Sequence, residues 1–570
     1  MGYELVNVMT DFGATGDGTT DDTAEINDAI ATLSAGKTLY FPVGTYKVSE
    51  TSLNRALMPL PIGANLMMEQ GALLKASETS AVMSIVTVLG DNIIDGLNID
   101  GQCLPDTSTV QSSDWQANLH IGVRAAFTLG SHGLGAKNVT ILNSRFRNLD
   151  CGIQTHGAQG WTVRNCHFER LYNSGALMEY LDGYSCRYNR FENCTSDKTG
   201  DTCVAFHHMG GTDAECSYNT IFNCHAIDWG LKTLSFAFDV EARFGDEDAS
   251  KQHHILFDRC TAEQTQTGMS HGIGVAIMNT VSESAILACG GSGSLNLTSD
   301  VGIAMGSGTR DSRIAYCNLR HFRGAGIDID GTDRVTVEHN QIIDCGDDSS
   351  VHPGIRVSLS HETNSATVRA NRYVINPTYP HETGASCGVA VRSVAESASN
   401  ILIEGNHFAS PKGNGVYVTG DVENKVDGVT LRGNTYQMTE ETPANLGPAL
   451  PVQVYRAKGV RIENETIIDC RYGYTVQSCD NVTVERCDAR GTLTMYYLYD
   501  FANTSGAKVR GMRTFVAVTT VVNNAGSGTI FEDDDKIALI NAPDDSAAAT
   551  AGVQVGMTYR HGSIRMVRAA

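Results

Sequence analysis

Val335–Ile342 reads VTVEHNQI, Ala366–Tyr373 ATVRANRY, Ile401–Phe408 ILIEGNHF and Val429–Tyr436 VTLRGNTY. In each phrase an apolar residue stands three before an Asn, and an aromatic or branched apolar residue two after it. The Asn residues, 340, 371, 406 and 434, are 31, 35 and 28 residues apart, so one structural unit recurs with loops of variable length. Similar phrases surround Asn189 (CRYNRF) and Asn219 (CSYNTI), and the same slot reads as Cys166 in WTVRNCHF, Cys260 in ILFDRC and Cys487 in VTVERC. Alternating apolar positions in a repeat of roughly 20–50 residues define a β-solenoid. Each Asn is expected to bond the backbone of its own rung and the amide of the next, which satisfies buried polar groups.

Outward from these phrases, rungs are expected from residue 66 to about 520, after a cap and first strands over 1–65 and before a linker and small β tail over 521–570. The ladder opens from 30 residues to 41 between Asn219 and Cys260, which predicts an inserted loop there. The chain has 570 residues, 58 Gly and only 12 Pro, and its hydrophobic fraction of 41% fills a narrow solenoid. A net charge of −22 argues against nucleic acid as a partner, because phosphate backbones call for Lys and Arg. No run of ~18 apolar residues is long enough to span a membrane. The start, MGYELVNVMTDFG, lacks the basic and apolar regions of a classical signal peptide. Sixteen Cys fall largely at repeat positions, so they are expected as reduced, buried thiols, as synthesis in a cytoplasm allows. No Cys/His cluster has zinc spacing, and neither a metal nor a cofactor is expected.

The opening has its own signals. Thr19-Thr20-Asp21-Asp22 predicts the start of a helix near Thr23 with Ile26, Ile30 and Leu33 on one face, followed by two short strands, TLYFP and GTYKV. Such a helix caps the open end of a solenoid. The motifs DFGA (Asp11–Ala14), GDG (Gly16–Gly18), TDDT (Thr20–Thr23) and YFPVGTY (Tyr40–Tyr46) make this stretch resemble the pectate-lyase-like superfamily. That resemblance implies an all-β chain, a right-handed parallel β-helix with a short N-terminal capping helix and a small C-terminal β region. Lyases, hydrolases, epimerases and phage tailspikes share the superfamily. The end, AGVQVGMTYRHGSIRMVRAA, resembles a tail of phage structural and fibre proteins, with a hairpin from Met557–Arg560 and Ser563–Val567. Together the resemblances imply a homotrimeric phage-type spike that binds and depolymerises a bacterial surface polysaccharide. It would sit on a virion surface beside other virion proteins, or alternatively be secreted.

Glycoside hydrolysis needs two carboxylates flanking the scissile bond, ~5–9.5 Å apart, whereas elimination needs a base and a neutralised uronate. The richest region runs from ALMEYLDG (Glu179, Asp182) through TCVAFHHMGG (His207, His208) to LSFAFDVEARF (Asp239, Glu241, Arg243). Strand alternation puts Asp239, Glu241 and Arg243 on one outward face. Glu179, Asp239 and Glu241 are the catalytic candidates. His207, His208, Arg243 and Asp182 are the substrate-binding candidates, with Asp328 and Asp330 of GIDIDGTDR as a second carboxylate pair. Trp115, Trp161, Trp229, Tyr496, Tyr497 and Tyr499 are candidates to stack on sugars. A polysaccharide lyase or epimerase, and a spike that binds capsule without cutting it, are the competing readings.

Overall fold

The computed structural model describes residues 4–49, 55–77, 83–102, 120–125, 135–181, 183–209, 213–231, 235–242, 250–265, 274–293, 301–346, 353–357, 362–376, 387–393, 397–409, 413–421, 426–437, 450–491, 495–514, 518–522, 527, 530–532, 558–561 and 564–567. The chain divides into two compact units, Met1–Asp328 and Ile329–Ala570. Each is a right-handed parallel β-helix built from three sheets. One rung of the first unit shows the plan: Thr162–Arg164 lies in the first sheet, His167–Leu171 in the second and Ala176–Tyr180 in the third. Strands of the coil pair in parallel with their equivalents one rung away, so inward side chains stack into apolar columns such as Phe146–Phe168, whose rings lie 5.3 Å apart.

The capping helix spans Thr23–Ala31, buries Ile26, Ala29 and Ile30, and contacts strand Arg55–Leu60. Asp22 occupies its N-cap but makes no side-chain cap bond. Its carboxylate instead accepts from the Thr15 amide (2.6 Å), the Thr15 hydroxyl (2.7 Å) and the Gly16 amide (3.1 Å), which ties the DFGATGDG turn together. Asp21 takes the Thr23 amide at 3.1 Å. The TDDT motif therefore anchors a loop as much as it starts a helix. The strands Lys37–Phe41 and Thr45–Val48 do not pair with each other; they enter the first and second sheets.

The polar ladder forms as expected in the second unit. Asn371 Nδ2 donates to Asn406 Oδ1 (3.0 Å), Asn406 Nδ2 to Asn434 Oδ1 (2.9 Å), and Asn434 Nδ2 to Glu465 Oε1 (3.0 Å). Asn189 and Asn219, however, belong to another corner. Asn189 precedes the first-sheet strand Arg190–Glu192, whereas Asn340 precedes the second-sheet strand Gln341–Ile343. In the first unit the corner between first and second sheets is held by thiols, each one residue before a second-sheet strand or its Thr equivalent: Cys166, Cys194, Cys224, Cys260 and Cys289. The two corners read alike because each places a left-handed residue directly before the buried one, as at Tyr188 (φ 58°) and His339 (φ 56°). Measured along the true column, Cys224 to Cys260 is 36 residues, so the insertion is shorter than the 41-residue gap implied.

All described cysteines are free and buried. Burial pushes the Cys317 thiol up to about 12, which suits a small apolar filler rather than a nucleophile. Strands Thr558–His561 and Ile564–Val567 form the antiparallel tail hairpin, with Tyr559 opposite Met566. The expected strand KIALINA lies outside the described residues.

Candidate functional site

Third-sheet strands Cys151–His156, Ala176–Tyr180, Val204–His208 and Phe236–Ala242 lie side by side on consecutive rungs. Apolar Met178, Phe206 and Val240 form one inward column, so their neighbours in sequence face outward. The register makes one outward column of His156, Glu179, His207 and Glu241, and a second of Arg124, Gln154, Leu177, Ala205 and Asp239. Glu241, rather than Asp239, is thus level with Glu179 and His207. Asp239 reaches the first column diagonally, its Oδ2 lying 3.0 Å from His207 Nε2.

These outward groups are nearly closed from water: Glu179 and Asp239 are each 5% exposed and His207 1%. Buried polar groups need partners, and Glu179 has several. Gln154 Nε2 donates to its Oε2 at 3.1 Å, and His156 Nε2 lies 3.6 Å from the same oxygen. Burial pulls the Arg124 guanidinium below its ordinary value, while the Glu179 charge pushes it back up. Asp239 Oδ1 is buried and has no hydrogen-bond partner among the described residues. Ligand atoms of His207, Asp239 and Glu241 lie within 4.8 Å of one another, an imidazole and two carboxylates that form a donor set suited to a divalent cation.

The arrangement gathers Glu179, His207, Asp239 and Glu241. His208 faces inward, is 2% exposed and stacks on Tyr180 with ring centres 4.9 Å apart, so it is a core residue. Arg243 and Asp182 lie outside the described residues, as does Trp115. Asp328 is half-buried in Ile327–Ile329, a third-sheet strand three positions beyond Phe236–Ala242, away from the stripe; half-buried Asp330 falls in the second unit. Trp161, Trp229 and Tyr499 are core residues without exposed faces. Trp161 Nε1 donates to the Ala136 carbonyl (2.8 Å) and Trp229 Nε1 to that of Ser235 (3.0 Å). Tyr496 is 45% exposed, and the half-buried Tyr497 pairs its hydroxyl with Thr475 at 2.9 Å.

Arg124, Gln154 and His156 escaped the sequence reading. The signal was the i, i+2 spacing of Gln154 and His156 in CGIQTH, the same alternation that exposes Asp239 and Glu241. Two surface grooves lie elsewhere in the first unit, about 420 Å³ beside Lys47 and Lys75 and about 410 Å³ beside Glu69 and Arg145, and no stripe residue lines either.

A three-sheet parallel coil with a sheltered acid–imidazole stripe on one sheet defines a β-helix protein with a candidate active site. The right-handed β-helix region family matches residues 86–236, 248–393 and 385–541, and the chain belongs to that family. Residues 5–58 also match the rhamnogalacturonase A/epimerase, pectate lyase-like family. No curated protein sequence matches the chain. Among solved structures, the A-module of mannuronan C-5 epimerase AlgE6 from Azotobacter vinelandii is similar at 16% identity and a TM-score of 0.43, covering 77% of this chain and 100% of that one. The N-terminal fragment of bacteriophage Phi29 gene product 12 is similar at 14% identity and a TM-score of 0.45, over 92% and 93% of the two chains. The tailspike of E. coli bacteriophage HK620, in complex with a hexasaccharide, is similar at 12% identity and a TM-score of 0.41, over 92% and 80%.

Proposed function

We propose that this chain is a phage-type spike that binds a bacterial surface polysaccharide and depolymerises it by glycoside hydrolysis at the third-sheet stripe. The observation that carries the reading is the placement of Glu179 and Asp239 on one outward face, two strands apart, with His207 between them. Level residues two strands apart, such as Glu179 and Glu241, are separated by about 9.5 Å. Asp239 stands one outward position to the side and leans back to the same column through His207, a wide spacing that suits the attacking water of an inverting glycosidase better than the close approach of a retaining one. Glu179, an acceptor held among the donors Gln154 and His156, serves as the base that takes a proton from water. Asp239, with one oxygen on His207 and the other without a partner, hands a proton to the departing glycosidic oxygen. His207 is the positioning residue for Asp239, and half-buried Glu241 lines the entrance. The motifs of the opening and the tail support the phage-spike reading, and with it a homotrimer on a virion surface that contacts other virion proteins.

A second reading is favoured by the His207–Asp239 contact. An imidazole fixed by a carboxylate is also the arrangement of a general base, as proton abstraction in a lyase or epimerase requires. Incubation with purified capsular and O-antigen polysaccharides, followed by size-exclusion chromatography, tests both. Hydrolysis shortens a polymer without an ultraviolet-absorbing product, and a lyase creates one. Binding with no loss of polymer size by the unsubstituted chain would refute cleavage altogether.

A further inference from the structure

In the first unit, the corner leading from the third sheet to the first carries a left-handed residue on each rung. The series runs Asp91, Asn138, Gly160, Tyr188, Tyr218, His254, Glu283 and Asp311, with φ between 48° and 68°. Asp, Asn and Gly are the ordinary occupants of that conformation, and bulky side chains are rare there. Aromatics nevertheless fill it on three consecutive rungs, and those rungs are the ones that carry the stripe. Strand Ala176–Tyr180 leads to Tyr188, Val204–His208 to Tyr218 and Phe236–Ala242 to His254.

The three rings form one pile. Tyr188 and Tyr218 stack with centres 5.1 Å apart and planes 10° from parallel, and Tyr218 and His254 lie 4.6 Å apart at 20°. Core packing does not explain them, because Tyr188 is 62% exposed and Tyr218 43%. The pile stops abruptly at Tyr188. The Gly160 amide donates to the Arg187 carbonyl (2.9 Å), which sets Gly160 level with Tyr188 on the next rung, where no side chain continues the stack. The following member, Asn138, anchors its Nδ2 on Asp91 Oδ1 at 2.9 Å. A Cβ on Gly160 would meet Asn138 Oδ1 at 2.9 Å, so that acceptor overlooks the vacant position. Tyr188 and Asn138 are two rungs apart, about 9.5 Å, and Tyr188 and Tyr218 already stack at 5.1 Å. One further flat ring fits between Tyr188 and Asn138.

We propose that this slot is a binding subsite for a single pyranose unit, stacked on the open face of Tyr188 with a hydroxyl donating to Asn138 Oδ1. The proposal rests on the polysaccharide reading of the stripe, and it adds a grip on the same three rungs that takes no part in bond cleavage. Aromatic faces suit the C–H faces of sugars for the same reason that they suit other flat, weakly polar rings.

The test uses the full chain carrying Glu179→Gln, so that polymer stays intact, on an array of purified bacterial capsular and O-antigen polysaccharides. On the glycans that this chain binds, adding Tyr188→Ala is expected to weaken binding at least about tenfold, the scale of a lost aromatic stack. Adding Tyr188→Phe is expected to leave binding within about threefold, since the ring face is kept. Gly160→Asn, tolerable at a left-handed position, fills the slot and is expected to weaken binding as Tyr188→Ala does. Tyr316→Ala, on a ring 57% exposed at the corner between the first and second sheets, is the control and should leave binding unchanged. If Tyr188→Ala binds as tightly as Tyr188→Phe, the subsite is refuted while the polysaccharide reading stands. Equal losses in Tyr188→Ala and Tyr316→Ala also refute it. No binding to any glycan by the Glu179→Gln chain overturns the reading and the subsite together.

Discussion

The ladder of the second unit ends on a carboxyl, and that end makes stability depend on pH. Glu465 is 0% exposed, accepts the Asn434 amide (3.1 Å) and Asn434 Nδ2 (3.0 Å) on Oε1, and lies beside the buried Tyr436 hydroxyl. Among the described residues no cation offsets its burial, and loss of water pushes its pKa from 4.5 up to about 8. A carboxyl whose pKa rises on folding binds its proton more tightly in the folded chain. Its contribution is therefore full below the unfolded value and is lost as pH climbs towards the folded one. From pH 4.5 to about pH 7.5 is three pH units, over which the unfolded chain ionises this carboxyl while the folded chain keeps its proton, at 1.36 kcal/mol per unit. The resulting penalty is about 4 kcal/mol. Glu465→Gln keeps the acceptor and removes the charge, so it should stabilise the second unit by up to that amount near pH 7.5 and by almost nothing near pH 4.5. Stacked rungs need not unfold in a single step. The assay is therefore amide hydrogen exchange at Asn434, Tyr436 and Ile467, followed across pH in both chains. A Glu465→Gln effect that is the same at pH 4.5 and 7.5, or larger at the acid end, refutes the argument.

Four further outcomes follow from the geometry. Glu179→Gln and Asp239→Asn should each lower the rate of polymer shortening by 10²–10⁴, the usual worth of a general acid or base, with unchanged circular dichroism; a loss below tenfold removes either from the mechanism. His207→Ala frees Asp239 Oδ2 and should lower kcat and displace the alkaline limb of the pH–rate profile, where the general acid loses its proton, whereas a purely structural role would leave the profile's shape intact. The separation of Glu179 from Asp239 predicts inversion, so the first product seen by proton NMR should carry the opposite anomeric configuration to the polymer; retention points instead to Asp239 and Glu241, whose oxygens lie within 4.8 Å. The buried thiols should resist alkylation in the native chain and react only after denaturation, as counted by mass spectrometry; rapid labelling of Cys194 or Cys224 would show that the column is open.

The fold was legible because its cause is periodic. Alternating apolar residues and a recurrent buried Asn dictate stacked strands, and they do so wherever the loops fall. The site was legible only in part, because it depends on register. The phrases around Asn189 and Asn340 look alike since both corners need a left-handed residue followed by a small buried one, and no local feature says which corner is which. Counting from the wrong corner misjudged the insertion after Cys224. It did not turn any strand over, because strand alternation alone already sorted Asp239 and Glu241 outward from Phe238 and Val240. A slip of one residue would have reversed the face, whereas a slip of two keeps the face and changes only the neighbour. Asp239 shows the second case: it faces outward level with Ala205 and still reaches His207 diagonally. His208 fails for the complementary reason. Adjacent histidines on a strand must face opposite ways, so only one of the pair can join the stripe, and the inward column of Tyr180 claims the other. Arg124, Gln154 and His156 were missed because their partner, Glu179, is contributed by another rung. A pair of that kind becomes visible in sequence only once the register between rungs is known, and the register is set by corner geometry that the repeated phrase conceals.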